Sequence, residues 1–339
     1  MKIALVTDTH FGARNDHDHF NNYFYEFYEN IFFPYLKEHN IDTCIHLGDV
    51  MDRRKFVSYK IAKDFREKFC ETFVTNDIKV HMIVGNHDTY FKNTNDVNSL
   101  DELIGSRYDN IKIYRETETV DFDIPICFIP WINSTNEKQT IEHISKTNAT
   151  VAMGHLEIKG FEMHHGFPSE TGMEKSVFNK FDMVMSGHFH KKSDDGHIFY
   201  LGTPYQIFWN DDKCPKGFHI FDTETRTLER IINPYTIFKK VYYDDSNGED
   251  FNYNQIKDLK DKYVKLVVVN KKDLYMFDRF VDKVLTESQA HDVKIIENAQ
   301  DTITLLDSYV DDLDVNNLDK NRLKTMLKGL YVEASNMEM

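Results

Sequence analysis

Five short motifs gather residue types that ligate metals: "DTH" (Asp8, His10), "GDVMD" (Asp49, Asp52), "GNHD" (Asn86, His87, Asp88), "GH" (Gly154, His155) and "GHFH" (His188, His190). Each closes an apolar run. The donors are carboxylate, imidazole and amide oxygen, with no thiolate. Such a mixed O/N set suits Mn²⁺ or Fe²⁺, with Zn²⁺ or Mg²⁺ as alternatives. Asp8, His10, Asp49, Asn86, His155, His188 and His190 make seven candidate ligands, too many for one ion and suited to two. A carboxylate bridging two ions about 3.5–4 Å apart activates water and neutralises phosphate oxygens, the chemistry of phosphoester hydrolysis. One such motif means little, because Asp-x-His arises by chance and Gly-His after a strand is usually a turn. Five in one chain, each at a strand end, are a different matter.

The elements that must position these motifs follow from the apolar pattern. Strands are expected at 2–8, 42–49 and 79–86, with helices at 19–37 and 57–75 between them. This β-α-β-α-β order predicts parallel neighbours under covering helices. Loops at the carboxyl ends of such strands converge on one sheet edge, so motifs far apart in sequence can share a pocket. Pro34 must kink or punctuate the first helix. Further strands are expected at 111–115, 122–131, 149–154, 182–187, 197–202 and 217–222. Several lack an intervening helix, so the fold has either one mixed sheet or two sheets stacked face to face.

After residue 235 the His and Asp clusters stop. Strands at 236–243, 263–269 and 293–297 and helices near 254–261 and 273–290 predict a small α+β domain over 236–306. Residues 307–319 form an acidic connector, and 318–333 a last amphipathic helix. The expected division is therefore 1–235, 236–306 and 307–339.

The totals set bounds. A 41% hydrophobic fraction supports a sizeable core. No apolar run reaches 18 residues, so no membrane span is expected, and the N-terminus reads as a strand rather than a signal peptide. Cys44, Cys70, Cys127 and Cys214 form no C-x-x-C pair, and a reducing cytoplasm fits them. The formal charge of −15 argues against coating nucleic acid by bulk charge, although bound metals and local basic loops can reverse the field.

With these motifs the chain resembles the calcineurin-like metallophosphoesterases, whose ordered signature is D-x-H, G-D-x-x-D, G-N-H-[DE], G-H and G-H-x-H. The resemblance covers roughly 1–235 and implies an α/β (α+β) fold: a two-layer β-sandwich flanked by helices, followed by the small capping domain and C-terminal helix. It implies that Asp8, His10, Asp49 and His190 hold one metal, that Asp49, Asn86, His155 and His188 hold the other, and that Asp49 bridges them. Within the superfamily the chain is similar to the SbcD-type nuclease subunits of double-strand-break processing complexes. "GHFH" lies 33 residues beyond His155, and "YLGTPYQ" (200–206) resembles that family's Gly-Ser/Thr-Pro turn. The compact length and "LGTPYQIFWND" resemble the recombination nuclease subunits of T-even-type bacteriophages.

The resemblance implies a Mn²⁺-dependent DNA exo- and endonuclease with two ions per chain, acting in break processing, recombination and recombination-dependent replication. It would work as a homodimer bound to an SbcC-like coiled-coil ATPase, in the host cytoplasm if phage-encoded, with helices at 57–75 and 93–105 as candidate dimer contacts. His87 would donate a proton to the leaving oxygen. Asp52 stands where part of the family has histidine, and by analogy with phosphatases it should pair with His87, raising its basicity. Arg14, Arg53, Arg54, Lys55, Lys191 and Lys192 are expected to contact DNA phosphates. His164 and His165 read as surface or structural. Leu323, Leu327, Leu330 and Tyr331, with Met326 beside them, would face the ATPase. The rival readings are a protein phosphatase or cyclic-nucleotide phosphodiesterase on the same fold, and a non-catalytic scaffold, although no expected ligand is missing.

Overall fold

The computed structural model describes residues 1–164, 167–246, 253–288, 293–297, 310 and 319–337. The acidic connector over 307–319 therefore lies almost entirely outside the described residues, as does His165. Two compact units form. One holds Met1–Ile207 with Cys214–Tyr235, and the other holds Phe208–Lys213 with Thr236–Met339.

The first unit is a mixed α/β sandwich. Its strands in chain order are β1 (Lys2–Val6), β2 (Thr43–His46), β3 (Lys79–Ile83), β4 (Ile111–Tyr114), β5 (Glu118–Asp121), β6 (Pro125–Ile129), β7 (Val151–His155), β8 (Glu162–His164), β9 (Phe167–Pro168), β10 (Met183–Gly187), β11 (Ser193–Asp194), β12 (Ile198–Tyr200), β13 (Lys216–Asp222) and β14 (Thr227–Asn233). One sheet runs β14-β13-β1-β2-β3-β4 and the other β11-β12-β10-β7-β6-β5. In each, four adjacent strands are parallel: β1 to β4 in the first, and β12, β10, β7 and β6 in the second. Alternation along β1 sends Ile3 and Leu5 inward. There they join Ile45, Ile83, Phe128, Val151, Met153, Met185 and Phe221 in one buried layer drawn from both sheets. The two sheets are thus stacked face to face.

The outer face of the first sheet is covered by the aromatic run. Asp18–Phe27 is α-helical, Tyr28–Phe32 is a π-helical turn, and Phe33–Glu38 resumes the α-helix. Pro34 does not end the run. It sits in the first turn of the last segment, and the wider turn before it absorbs its missing N–H. Phe24 stacks on Tyr205 at 3.9 Å between ring centroids, and Phe32 meets Phe218 edge-on at 4.9 Å. Such pairs add about 0.5–1.5 kcal/mol each beyond their burial. The second helical run, Tyr59–Asp64 to Glu71–Thr75, is capped by Ser58 Oγ accepting the Ile61 N–H.

Four elements differ from expectation. The strand expected over 122–131 is shortened to β6, the second arm of a hairpin in which it pairs antiparallel with β5 around residues 122–124. The helix Glu137–Lys146 and strand β14 were not foreseen. The helix near 254–261 is only the 3₁₀ turn Tyr253–Ile256, because too few apolar side chains recur at helical spacing to hold a longer element.

In the second unit β15 (Phe238–Asp244), β16 (Tyr263–Asn270) and β17 (Val293–Glu297) form a parallel sheet. Val241, Tyr243, Val264, Leu266 and Val268 pack on Phe277, Phe280 and Val284 of the helix Leu274–Ser288. The helix Lys320–Met337 starts from an Asp319 cap that accepts the Arg322 N–H at 3.0 Å. Its Leu323 and Leu327 are half-buried, and Met326 and Leu330 are exposed. The Tyr331 side chain lies outside the described residues. Among the described residues no helix is long and apolar enough to cross a membrane.

Candidate metal centre

The five motifs sit at the carboxyl ends of β1, β2, β3, β7 and β10, as parallel strands require. Reaching the centre costs local backbone freedom. Asp8, His10, Asp49 and His188 all have positive φ, between 45° and 85°. Non-glycine residues in this region cost on the order of 1 kcal/mol or more each, a strain that packing and ligand contacts must hold in place. Two motif glycines serve close approach. A Cβ at Gly187 would strike Thr7 Oγ1 and lie 2.9 Å from Asp8 Oδ2, and one at Gly85 would collide with Asp49.

Asp49 lies among the motifs. Its Oδ1 accepts the His87 N–H at 2.6 Å, and its Oδ2 lies 3.3 Å from His155 Nε2 and 3.8 Å from His10 Nε2. On one side are Asp8, His10 and His190, with ring nitrogens of His10 and His190 facing each other at 3.1 Å. Asp8 is fixed by the His188 N–H at 3.1 Å and by the Thr7 hydroxyl at 2.7 Å. On the other side are His155, His188 and Asn86. His155 Nε2 and His188 Nδ1 both lie 2.8 Å from Asn86 Oδ1.

This donor set fits divalent metal. His155 Nδ1 donates to the Leu47 carbonyl at 2.8 Å, which leaves Nε2 as the atom facing both the Asn86 amide oxygen and the Asp49 carboxylate. With a metal in place of the Nε2 proton, imidazole, amide oxygen and carboxylate would converge as lone-pair donors on one cation. Electrostatics shows how strongly the site draws positive charge. Burial alone would lower the pKa of His10 and His155, yet the carboxylates outweigh it and hold both up at about 9: Asp52, Asp49 and Asp8 for His10, Asp49 and Asp8 for His155. Burial also acts to raise the Asp49 carboxyl, but His155, His87 and His10 keep it well below the usual carboxylate range. His188 falls to about 3 and His190 also falls far, chiefly by burial, so both are neutral and ready to ligate.

Asp52 takes a different place from the expected one. His87 does reach Asp52, but its Nδ1 donates to the main-chain carbonyl at 2.5 Å. The Asp52 carboxylate faces His10 Nδ1 at 3.3 Å. The loop path decides this: Asp52 N–H donates to the Phe11 carbonyl at 3.1 Å, which turns the side chain toward the "DTH" loop. Asp52 thus orients a ligand imidazole through its side chain and His87 through its backbone.

The expected phosphate contacts are engaged within the chain. Arg14 Nε donates to the Ile207 carbonyl at 3.0 Å, Arg53 pairs with Asp16, Arg54 donates to Thr89 Oγ1 at 3.1 Å, and Lys192 pairs with Asp194 at 2.9 Å. Lys191 is half-buried on the loop after His190, and Lys55 is exposed. His164 closes β8. Leu323, Leu327 and Leu330 belong to the second unit.

Several supporting residues escaped the sequence reading. Buried Asp88 accepts the N–H groups of Val50, Met51 and Gly85 at 2.9–3.0 Å and so ties two metal loops together; burial and Asp49 raise its carboxyl to about 7. His46, held neutral by burial, accepts the Gly48 N–H and donates to Thr9 Oγ1. Tyr205 of the "GTPYQ" turn donates to the Thr9 carbonyl at 2.6 Å. Thr203 N–H and Lys216 Nζ donate to the His190 carbonyl at 3.1 and 3.0 Å. Of these only Asp88 and the turn carried a visible signal, since both lie inside recognisable motifs.

Residues 1–192 match the family of calcineurin-like phosphoesterases. The chain is 32% identical over 348 residues to exonuclease subunit 1 of Enterobacteria phage T4, an alignment that covers 99% of this chain and 100% of that protein. It is 23% identical over 309 residues to the DNA double-strand break repair protein Mre11 of Methanocaldococcus jannaschii, covering 84% of this chain and 81% of that one. A shorter stretch of 121 residues is 26% identical to a component of the nuclease SbcCD of Staphylococcus saprophyticus, covering 32% of this chain and 31% of that one. The extent of these matches, over the same residues that build the centre, places the chain in the calcineurin-like phosphoesterase family.

Proposed function

We propose that this chain is a metal-dependent DNA nuclease subunit that hydrolyses phosphodiesters. The observation that carries the reading is Asp49, a buried carboxylate flanked by two separate clusters of nitrogen and oxygen donors. DNA as substrate is supported by the relatives, which are named as an exonuclease subunit, a component of a nuclease and a DNA double-strand break repair protein. The site suits two Mn²⁺ ions. Asp8, His10, Asp49 and His190 would hold one, and Asp49, Asn86, His155 and His188 the other. Bound there, the ions supply an activated water and neutralise phosphate charge.

The chain's own groups do the rest. The Asp52 carboxylate, 3.3 Å from His10 Nδ1, would favour a proton on that atom and so leave Nε2 to ligate. The Leu47 carbonyl does the same for His155. His87, with Nδ1 fixed on the Asp52 carbonyl, is left with Nε2 as its proton-exchanging atom, placed to protonate a leaving oxygen. The chain would act as a homodimer with an SbcC-like ATPase in the cytoplasm of a host cell. Domains at 1–235, 236–306 and 307–339 would divide catalysis, duplex placement and partner binding. A chain lacking residues 315–339 should lose ATPase binding, and full binding would remove that role from the last helix.

End-labelled duplex DNA digested with Mn²⁺, with and without the ATPase, tests the reading. Wild type should cleave, and His87→Ser should lose about 10²–10⁴-fold in rate, the usual contribution of a positioned acid, while keeping its metal. Phosphomonoester turnover far exceeding DNA cleavage would instead identify a phosphatase.

A further inference from the structure

Beside the metal loops lies a patch that the hydrolytic chemistry does not use. Immediately after "GDVMD" the chain runs Arg53-Arg54-Lys55-Phe56, with Tyr59 three residues on, and immediately after "GNHD" it runs Thr89-Tyr90-Phe91-Lys92. Its aromatic rings face solvent: Tyr59 is 95% exposed, Phe56 62%, Phe91 49% and Tyr90 41%. The two segments are neighbours, because Arg54 donates to Thr89 Oγ1 and His87 donates to the Asp52 carbonyl. The rings are also ordered by contacts. The Arg53 guanidinium lies 4.4 Å from the centroid of Phe56, and Tyr90 meets Phe91 edge-on at 4.7 Å. An exposed aromatic side chain is unremarkable singly; a cluster next to a catalytic loop is not.

Two occupants would cover such rings. A second copy of the chain would bring the same patch against itself, since isologous contacts are self-complementary. That would gather both copies' Arg54, Lys55 and Lys92 in one interface, and none of these three is paired with a carboxylate among the described residues. Nucleic acid presents the opposite charge. Its bases stack on aromatic rings only when unpaired, whereas a duplex offers such rings only its terminal pair. Cations interleaved with rings therefore match a single strand, with phosphates on the cations and bases on the rings.

On the nuclease reading of the centre, the geometry points to a base-stacking platform: Phe56, Tyr90 and Phe91 receive unstacked bases of a single strand beside the metal loops. The test compares the full chain with the double variant Tyr90→Ala/Phe91→Ala, in EDTA so that no cleavage occurs. The probes are a short single strand containing 2-aminopurine and a blunt duplex of the same sequence.

The variant should bind the single strand roughly 5- to 100-fold more weakly, the range for losing one stacked base, while duplex affinity changes by less than about twofold. The fluorescence change of 2-aminopurine on binding should disappear. The exchange Tyr90→Phe/Phe91→Tyr, which keeps both rings, should restore both signals; Phe56→Ala should show a smaller loss in the same direction. Equal losses on both probes would overturn the platform, and so would unchanged single-strand binding accompanied by a drop in oligomeric mass, which would assign the rings to a second copy. A wild type that hydrolyses a small phosphodiester with Mn²⁺ but binds neither probe would overturn the nuclease reading itself, and the platform with it.

Discussion

His10 and His155 are the two imidazoles of the centre that buried carboxylates hold charged, yet they are aimed by different means. His155 is sealed in the interior, and its Nδ1 donates to a main-chain carbonyl, Leu47 O. His10 is aimed by a side chain, the carboxylate of Asp52, which is 24% exposed. One half of the centre is therefore built into the main chain just after β2 and cannot be retuned by substitution at its support. The other half depends on a partly solvated carboxylate that also sits, through its carbonyl, under His87. This suggests a division in which the Asn86–His155–His188 side is the rigid anchor and the Asp8–His10–His190 side is adjustable.

The largest effect should come from the residue that both halves share. Asp49→Asn should lower phosphodiester turnover by about 10³-fold or more, since metal stabilisation of the developing charge is worth several kcal/mol; steady-state kinetics with Mn²⁺ reads it. A loss confined to one half of the centre, with turnover within about tenfold, would break the picture of a shared bridge.

Acidity is what the two halves share. With both rings at about 9 in the metal-free chain, each carries a proton at pH 7 that metal must displace. Mn²⁺ affinity should climb with pH, roughly tenfold per unit for each proton displaced, and level off above about 9. Calorimetry in buffers of different ionisation enthalpy should read about two protons released near pH 7. The sign for stability is the reverse. Both folded values lie above the ordinary 6.5, so their support for the metal-free fold is complete below about 6.5 and is lost as pH rises through about 9. Thermal melts of metal-free chain should fall over that window, and melts of the Mn²⁺-loaded chain should not.

Asp52→Asn sharpens the contrast directly. Removing the charge behind a ligand imidazole typically costs 10–100-fold in affinity or activity, and about that is expected here. Proton release near pH 7 should drop from about two to about one, because the His155 half is untouched. An unchanged proton count would return Asp52 to a role on His87 alone. The smallest effect belongs to Arg53→Ala. That guanidinium is already held by Asp16 and Phe56, so DNA affinity should fall only several-fold, with the slope of log affinity against log salt reduced by about 0.9 if Arg53 contacts one phosphate.

Much of this architecture could be read from residue order. Apolar runs that end in Asp, His or Gly mark β1, β2, β3, β7 and β10, because a buried parallel strand needs unbroken apolar residues and its loop needs polar ones. The seven candidate ligands followed from those endings. What could not be read was direction. Whether the Asp52 carboxylate meets His10 or His87 depends on left-handed turns at His10 and Asp49, which no local pattern announces. Lys216 and His46 stayed hidden for a related reason: each looks like an ordinary strand residue, and only the pairing of β13 and β2 with β1 carries them to the metal loops. Strands β5 and β14 were missed because their half-exposed, charged sequences, "ETVD" and "TLERIIN", resemble loop more than core.

Electron paramagnetic resonance of the Mn²⁺-loaded chain tests the shared carboxylate most directly. Wild type should give the signal of two exchange-coupled ions, and Asp49→Asn should give only uncoupled, single-ion signals. A wild type with uncoupled signals alone, or coupling that survives Asp49→Asn, would contradict a centre built around Asp49.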